Sequence, residues 1–79
     1  MSNEEKYVQA FVNAFGVEED KVPALQFNEI EEWDSVGHMS LIAEIEEAFD
    51  IMMETEDIID LSSYAKGREI LSSKYDVAF

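Results

Sequence analysis

Residues 33–49 read WDSVGHMSLIAEIEEAF, a turn followed by an amphipathic helical pattern. Asp34 and Ser35 are residue types that cap helices, because their side-chain oxygens accept hydrogen bonds from free N–H groups of the first turn. The apolar residues that follow recur at helical spacing and form one stripe for a core: Leu41, Ile42, Ile45 and Phe49. We therefore predict a helix that begins at residues 34–35 and ends near Asp50.

A second, shallower apolar stripe runs along the same predicted helix through Val36, Met39 and Ala43. Acidic residues surround this stripe, which is typical of a face that docks onto a partner protein. The hydroxyl of Ser35 stands at the positive end of the helix, a natural place for a phosphate group.

Length and composition allow one small domain over residues 1–79. The chain is 47% hydrophobic, enough to fold, and it contains no cysteine for a disulfide, a thiolate nucleophile or a zinc–thiolate site. The first residues, Met1 to Glu5, are acidic and polar and do not resemble a signal peptide. No apolar run reaches the length of a membrane span, so we expect a cytoplasmic monomer without a membrane span.

The charge balance is strongly acidic, with 19 acidic and 5 basic residues and a formal net charge of -14. Nucleic acid is excluded as a partner, because its phosphate backbone requires lysine and arginine. The negative field favours partner enzymes with basic patches, which it would attract in a salt-dependent way.

The segment before residue 34 predicts one helix and a long connection. Ser2 and Glu5 have the spacing of a capping box, and Gly16 supplies a C-terminal stop. Periodicity is lost from residue 17 to residue 34, apart from a short helical turn predicted near residues 18–22. The apolar residues of this loop are expected to anchor it over the helix ends: Val17, Val22, Leu25, Phe27, Ile30 and Trp33.

The segment after Asp50 predicts two further helices. Residues 55–61 can form only a short helix, with Thr55 as a possible cap, and Ser62 or Ser63 caps the last one. Gly67 within that helix predicts a close helix–helix approach, because glycine there is otherwise unfavourable. The tail from Lys74 is either frayed or folded back. The predicted fold class is all-α, a small four-helix bundle with a long first loop and a short third helix.

Few groups are available for catalysis, since the chain has one histidine and no cysteine. A contact between Ser35 and His38 is conceivable on adjacent helical turns, but neither a third orienting group nor an oxyanion motif is evident. We therefore predict no catalytic residue and no enzyme, with His38 as an exposed first-turn residue. Trp33 and Phe27 are expected to be loop anchors rather than a ligand-binding pair.

The dense acids of residues 44–57 lack the ordered spacing of a calcium-binding loop. They predict a solvated acidic surface, with loose binding of divalent cations as the alternative and no specific metal ligand. What remains is Ser35, next to Asp34 and in front of the second apolar stripe. A carrier module accounts for these features, with the serine as a covalent attachment point, while a plain helix cap is the alternative.

Asp34-Ser35-Val36, followed by an amphipathic helix that ends Glu46-Glu47-Ala48-Phe49-Asp50-Ile51, resembles the acyl carrier protein family and its Asp-Ser-Leu signature. Length, acidity, the long first loop and the short third helix extend the similarity over nearly the whole chain. Val36 replaces the commoner leucine, and Trp33 and Gly37-His38-Met39 differ from the housekeeping members, as in more specialised carriers.

The resemblance implies that a phosphopantetheinyl transferase attaches 4′-phosphopantetheine to Ser35, with Asp34 taking part in that metal-dependent reaction. The arm would carry acyl groups as thioesters for fatty-acid synthesis or for specialised acyl, polyketide or surface-polysaccharide synthesis. The implied surface for acyl-loading and acyl-transferring enzymes consists of Asp34, Val36, Met39, Ala43, Glu46 and Glu47.

Three alternatives stay open at this point. Within the same class, the chain is a D-alanyl or other amino-acyl carrier. From a different class, it is an unmodified acidic helical adaptor that binds a basic partner. A small hydrolase that uses Ser35 and His38 is the third.

Overall fold

The computed structural model describes all residues from Met1 to Phe79 and has no β-strand. The predicted all-α class is confirmed. Four α-helices and one 3-10 helix follow one another along the chain: α1 (Asn3–Phe15), the 3-10 helix (Glu19–Ala24), α2 (Ser35–Phe49), α3 (Thr55–Asp60) and α4 (Tyr64–Lys74).

Both predicted end signals of α1 are confirmed. The Ser2 hydroxyl accepts a hydrogen bond from the Glu5 N–H at 3.1 Å, and the Glu5 carboxylate accepts one from the Ser2 N–H at 2.9 Å. Gly16 follows the helix with φ of 69°, a left-handed conformation that glycine adopts without strain. These reciprocal bonds fix the start of a helix whose inner face carries Tyr7 and Phe11.

The long connection between α1 and α2 is anchored as the apolar residues predict. Val22, Leu25 and Trp33 are buried, and the 3-10 helix lies close to the helical turn expected near residues 18–22. Phe27 is the exception, since 40% of it is exposed and its ring contacts the rings of Trp33 and His38 from outside the core. The loop is therefore held against the bundle by these three buried side chains.

The caps of the last two helices differ in how well the sequence predicts them. Thr55 is the first residue of α3 and not its cap, because Glu54 occupies the cap position without a side-chain hydrogen bond. For α4, Ser63 is the cap and its hydroxyl accepts a hydrogen bond from the Lys66 N–H at 3.0 Å. A six-residue helix without a side-chain cap needs other contacts to hold it in place.

Gly67 marks a close approach between helices, as its position in α4 predicts. A Cβ at this residue would stand 2.2 Å from the Tyr7 hydroxyl of α1 and 3.0 Å from Cγ of Leu61. The Tyr7 hydroxyl donates a hydrogen bond to the Tyr64 carbonyl at 2.7 Å, so it fills the space that glycine leaves. Burial raises the pKa of Tyr7 well above the ordinary range, which keeps this hydroxyl a donor.

The tail after α4 folds back against the bundle. The Tyr75 hydroxyl accepts a hydrogen bond from the Glu54 N–H at 2.8 Å, and the ring of Phe79 lies 5.5 Å from that of Tyr7. Val77 is buried. Of the two alternatives for this segment, the structure therefore has the folded-back one.

Candidate functional site

The site is built on the first turn of α2. The Asp34 carboxylate accepts a hydrogen bond from the Gly37 N–H at 2.8 Å, and the Asp34 carbonyl accepts one from the His38 N–H at 2.8 Å. Asp34 is therefore the cap, and Ser35 is the first helical residue, with its side chain exposed to solvent. This arrangement presents a hydroxyl at the positive end of a 15-residue helix.

Gly37 allows the preceding loop to lie directly on this turn. A Cβ at Gly37 would stand 1.8 Å from the carbonyl oxygen of Glu32 and 3.3 Å from the ring of Phe15. Because the nearest obstacle is backbone, no side-chain movement would make room for it. The glycine thus fixes the distance between the loop and the helix start that carries Ser35.

His38 is buried, with 8% of its surface exposed, so the prediction of an exposed first-turn residue is wrong. Its Nδ1 lies 2.9 Å from Nε1 of Trp33, and its Nε2 lies 2.7 Å from the carbonyl oxygen of Ile58 in α3. A buried imidazole is stable here because both ring nitrogens have partners. The sequence pattern missed this because the partners come from a loop and from another helix.

The hydrogen bonds of His38 also bear on the Ser35–His38 pair. Since an indole N–H can only donate, Nδ1 of His38 is the acceptor and Nε2 carries the proton that is donated to Ile58. Neither nitrogen is free to take a proton from the Ser35 hydroxyl. In this arrangement the two residues do not form a nucleophile–base pair.

An apolar groove opens beside Ser35, between α2, α3 and the loop. It has a volume of about 470 Å³ and is lined by Phe27, Ser35, His38, Met39, Ile58, Ile59, Leu61 and Ser62. His38 closes one side of the groove, while 73% of Ile59 remains exposed at another. The serine hydroxyl therefore stands next to a surface that favours an apolar or amphipathic group.

A cleft of about 500 Å³ lies elsewhere, between α4, Pro23 and Phe79. Its guanidinium, from Arg68, is 2.9 Å from the Glu4 carboxylate and lies over the ring of Phe79. The charge of Arg68 in this cleft is thus already paired with Glu4. The one serine that lines the cleft, Ser72, lies within α4 and does not begin a helix.

The residues of the predicted docking surface lie on the outer face of α2. Val36 and Met39 are 77% and 54% exposed, and Ala43 and Glu47 are exposed as well. Glu46 differs, because it is half-buried and its carboxylate accepts a hydrogen bond from the Met53 N–H at 2.9 Å. Part of the predicted acidic rim is therefore occupied in holding the segment that follows α2.

The acidic residues after α2 do not gather into a cluster. The structure has no group of three or more histidine or acidic side chains arranged to hold a metal ion. Asp57 is buried and instead contacts Lys74 Nζ at 2.8 Å and the Tyr75 hydroxyl at 2.7 Å. The hydrogen bond from Lys74 and, to a smaller extent, that from Tyr75 lower the pKa of Asp57 below its ordinary value.

Sequence reasoning missed the contribution of α3 to the site. Ile58 supplies the carbonyl that His38 contacts, and Ile59 lines the groove. A signal was present, because adjacent residues point about 100° apart on a helix, so a short helix that contacts the core along one narrow stripe buries one of two adjacent isoleucines better than the other. The second one is then expected at the surface, although nothing in the sequence says which surface.

No match was found in comparisons with protein-family models, with curated proteins and with solved structures. None of the helices has the length and apolar character required to span a membrane.

Proposed function

We propose that this chain is an acyl carrier protein that is modified with 4′-phosphopantetheine at Ser35 and adopts the small bundle typical of such carriers. The observation that carries the proposal is the exposed Ser35 hydroxyl on the first turn of α2, beside an apolar groove. The proposed role is in fatty-acid synthesis or in specialised acyl, polyketide or surface-polysaccharide synthesis.

The surroundings of Ser35 fit a phosphopantetheine group. A phosphodiester on the hydroxyl would lie at the positive end of α2, where free backbone N–H groups favour an anion. The groove beside it offers Met39 and Ile59 to the amphipathic arm. When bound, the arm supplies a terminal thiol that carries an acyl group as a thioester, and the chain has no cysteine of its own.

The chain's own residues hold the attachment point in place. Asp34 keeps the first turn closed through Gly37, and Trp33 and His38 lock the preceding loop to the helix. In the reaction with coenzyme A, the Ser35 hydroxyl would lose its proton to a base of the transferase and form the new bond to phosphorus, while the pyrophosphate bond of coenzyme A breaks and adenosine 3′,5′-bisphosphate leaves. Asp34 directly precedes Ser35, so a metal-dependent transferase bound at the serine would also contact the Asp34 side chain.

The outer face of α2 supports recognition by other proteins. Val36 and Met39 are large apolar residues that remain exposed, which is common at interaction surfaces. Glu47 and the net charge of -14 favour basic patches on the proposed partners, namely a phosphopantetheinyl transferase and acyl-loading or acyl-transferring enzymes. A D-alanyl or other amino-acyl carrier would use the same surface.

The exposed apolar face also favours one function from a different class, an unmodified acidic adaptor. The adaptor needs Val36, Met39 and the acids but has no use for the Ser35 hydroxyl. Replacement of that hydroxyl therefore separates the two functions.

The test is incubation with coenzyme A, Mg²⁺ and a phosphopantetheinyl transferase of broad specificity, followed by intact-mass measurement. We expect one added phosphopantetheine on the natural chain and none on Ser35→Ala. Ser62→Ala is the matched control, because Ser62 is exposed and lines the same groove but does not begin a long helix. Absence of a mass shift, or a shift that survives Ser35→Ala, would refute the proposal.

A further inference from the structure

The single tryptophan and the single histidine of the chain, Trp33 and His38, contact each other across the first turn of α2, which we call the Ser35 turn. Their ring planes are 13° apart and their centroids 6.2 Å apart, while Trp33 Nε1 and His38 Nδ1 are separated by 2.9 Å. The rings thus lie side by side and are joined by a hydrogen bond. Ser35 stands between them in the sequence.

This pair joins three parts of the fold. Trp33 belongs to the loop, and its carbonyl accepts a hydrogen bond from the Asn28 N–H at 2.9 Å. His38 belongs to α2 and reaches the Ile58 carbonyl of α3 through Nε2. The loop, the start of α2 and the short helix α3 are therefore linked through one imidazole.

The link requires one protonation state. The neutral imidazole with its proton on Nε2 accepts from Trp33 and donates to Ile58, so both bonds are satisfied. A proton added at Nδ1 would face the indole N–H, and two donors cannot share a hydrogen bond. The contact between Trp33 and His38 must then open, while the bond to Ile58 can remain.

The groups packed around His38 do not offer a replacement partner for that proton. On the loop side they are the rings of Trp33 and Phe27, and the groove residues from α3 are apolar. The acids of the packed elements are the exposed Glu32 of the loop, Asp34 at the cap of α2, and the exposed Glu56 with Asp57 and Asp60 on α3. Of these, Asp34 accepts from Gly37, Asp57 faces Lys74 and Tyr75, and Asp60 is exposed.

We infer that His38 is a positioning residue whose neutral form locks the Ser35 turn to the loop and to α3, and whose protonation releases the loop. The inference rests on the proposed function only for its consequence, which is slower modification of Ser35 when the imidazole is protonated. The transferase would then bind a Ser35 turn whose position relative to the loop is no longer fixed.

Two spectroscopic measurements test the lock without any enzyme. Ring ¹⁵N chemical shifts at about pH 8 should show His38 as the neutral form protonated at Nε2, and the Trp33 fluorescence should change together with the ¹⁵N shifts that report protonation of the ring. The protection factor of the Gly37 amide, which compares its exchange with the intrinsic rate at each pH, should fall in the same step. In His38→Asn, whose carboxamide oxygen can still accept from Trp33, the fluorescence should be constant.

Results of these measurements can overturn the lock directly. A proton on Nδ1 at about pH 8, or a fluorescence titration that is identical in His38→Asn, would contradict it. An unchanged protection factor at Gly37 would show that protonation does not reach the Ser35 turn.

The consequence is tested with the transferase at each pH. The kcat/KM for modification, divided by that of His38→Asn, should fall about tenfold from the pH at which the ¹⁵N shifts show a neutral ring to the pH at which they show a protonated one, the size expected from one lost hydrogen bond. A constant ratio would overturn the link to modification. If no variant is modified, the proposed function fails, while the spectroscopic results still decide the lock.

Discussion

The short helix α3 is held from two sides by polar contacts of opposite character. On one side, neutral His38 reaches the Ile58 carbonyl, and its other nitrogen is occupied by Trp33. On the other side, Asp57 contacts the Lys74 ammonium and the Tyr75 hydroxyl. We call these the His38 contact and the Asp57 contact.

The two contacts differ in how well water can solvate the groups that are left when the contact breaks. The Asp57 contact ends in a lysine side chain that is 51% exposed, so water can solvate the ammonium if the pair is broken. The His38 contact lies against the rings of Trp33 and Phe27, and the Trp33 partner is fully buried, so water cannot reach the indole N–H. A lost partner is therefore harder for water to replace on the side of α3 that faces Ser35.

The largest effect is expected for His38→Ala. It leaves the indole N–H of Trp33 and the carbonyl of Ile58 without their partner and creates a cavity, which together cost about 2–4 kcal/mol. Urea unfolding followed by circular dichroism measures this loss. Ser40→Ala, on the exposed side of the same helix, should change the free energy of unfolding little. Equal effects for the two variants would remove the basis for the comparison.

A somewhat smaller loss, about 1–3 kcal/mol, is expected for Gly37→Ala. Helix propensity alone predicts the opposite, because alanine is more favourable than glycine within a helix by about 1 kcal/mol. The added methyl would meet the Glu32 carbonyl at 1.8 Å, so the loop must move away from Ser35. Thermal unfolding and the rate of Ser35 modification should both decline; a stabilised variant would show that the loop is not held as described.

Asp57→Asn should cost less than either of these changes, because the exposed Lys74 remains solvated. The ammonium and the Tyr75 hydroxyl lower the pKa of Asp57 from its usual 3.8, so its contribution is present above that pH and is lost as the pH falls through the lowered value. The difference in unfolding free energy between the natural chain and the variant should thus be constant from about pH 7 to pH 4 and shrink below. A difference that grows on acidification would contradict this sign.

The smallest effect concerns partner binding at the far end of α2. Glu47→Gln removes an exposed charge and should raise the KM of the transferase about two- to fivefold at low salt, with no change in stability. Glu46→Ala should in contrast reduce stability, since its carboxylate accepts from the Met53 N–H. Added salt should abolish the Glu47 effect, and a salt-independent effect would exclude electrostatic attraction as its cause.

Local signals in the sequence predicted most of the helical structure. The capping box at Ser2 and the cap at Ser63 depend on side chains that bond to residues three positions away, and the stop at Gly16 depends on a backbone conformation and a bond to the Val12 carbonyl. Such contacts are encoded by spacing alone. The apolar stripe of α2 is similarly local, and its buried members are Leu41, Ile42 and Ile45.

The candidate site was predicted in part. Spacing indicated that Ser35 begins a helix, but it gave the wrong environment for His38, whose partners are contributed by the loop and by α3. The groove depends on packing between segments that are distant in the chain, as does the contact of His38 with Ile58. The contacts of Trp33 with His38 and of Glu46 with Met53 span only five and seven residues, but they depend on how the chain turns outside the helix, which leaves no periodic trace in a single sequence.

The central claim is that Ser35 is the attachment point of a phosphopantetheine arm. The most direct test is the intact mass of the protein purified from its native source, with tandem mass spectrometry to locate any modification. We predict one phosphopantetheine, with or without a thioester-linked acyl group, on Ser35. A chain that is uniformly unmodified at Ser35, in cells where other carriers are modified, would contradict the claim and leave the acidic adaptor as the better account.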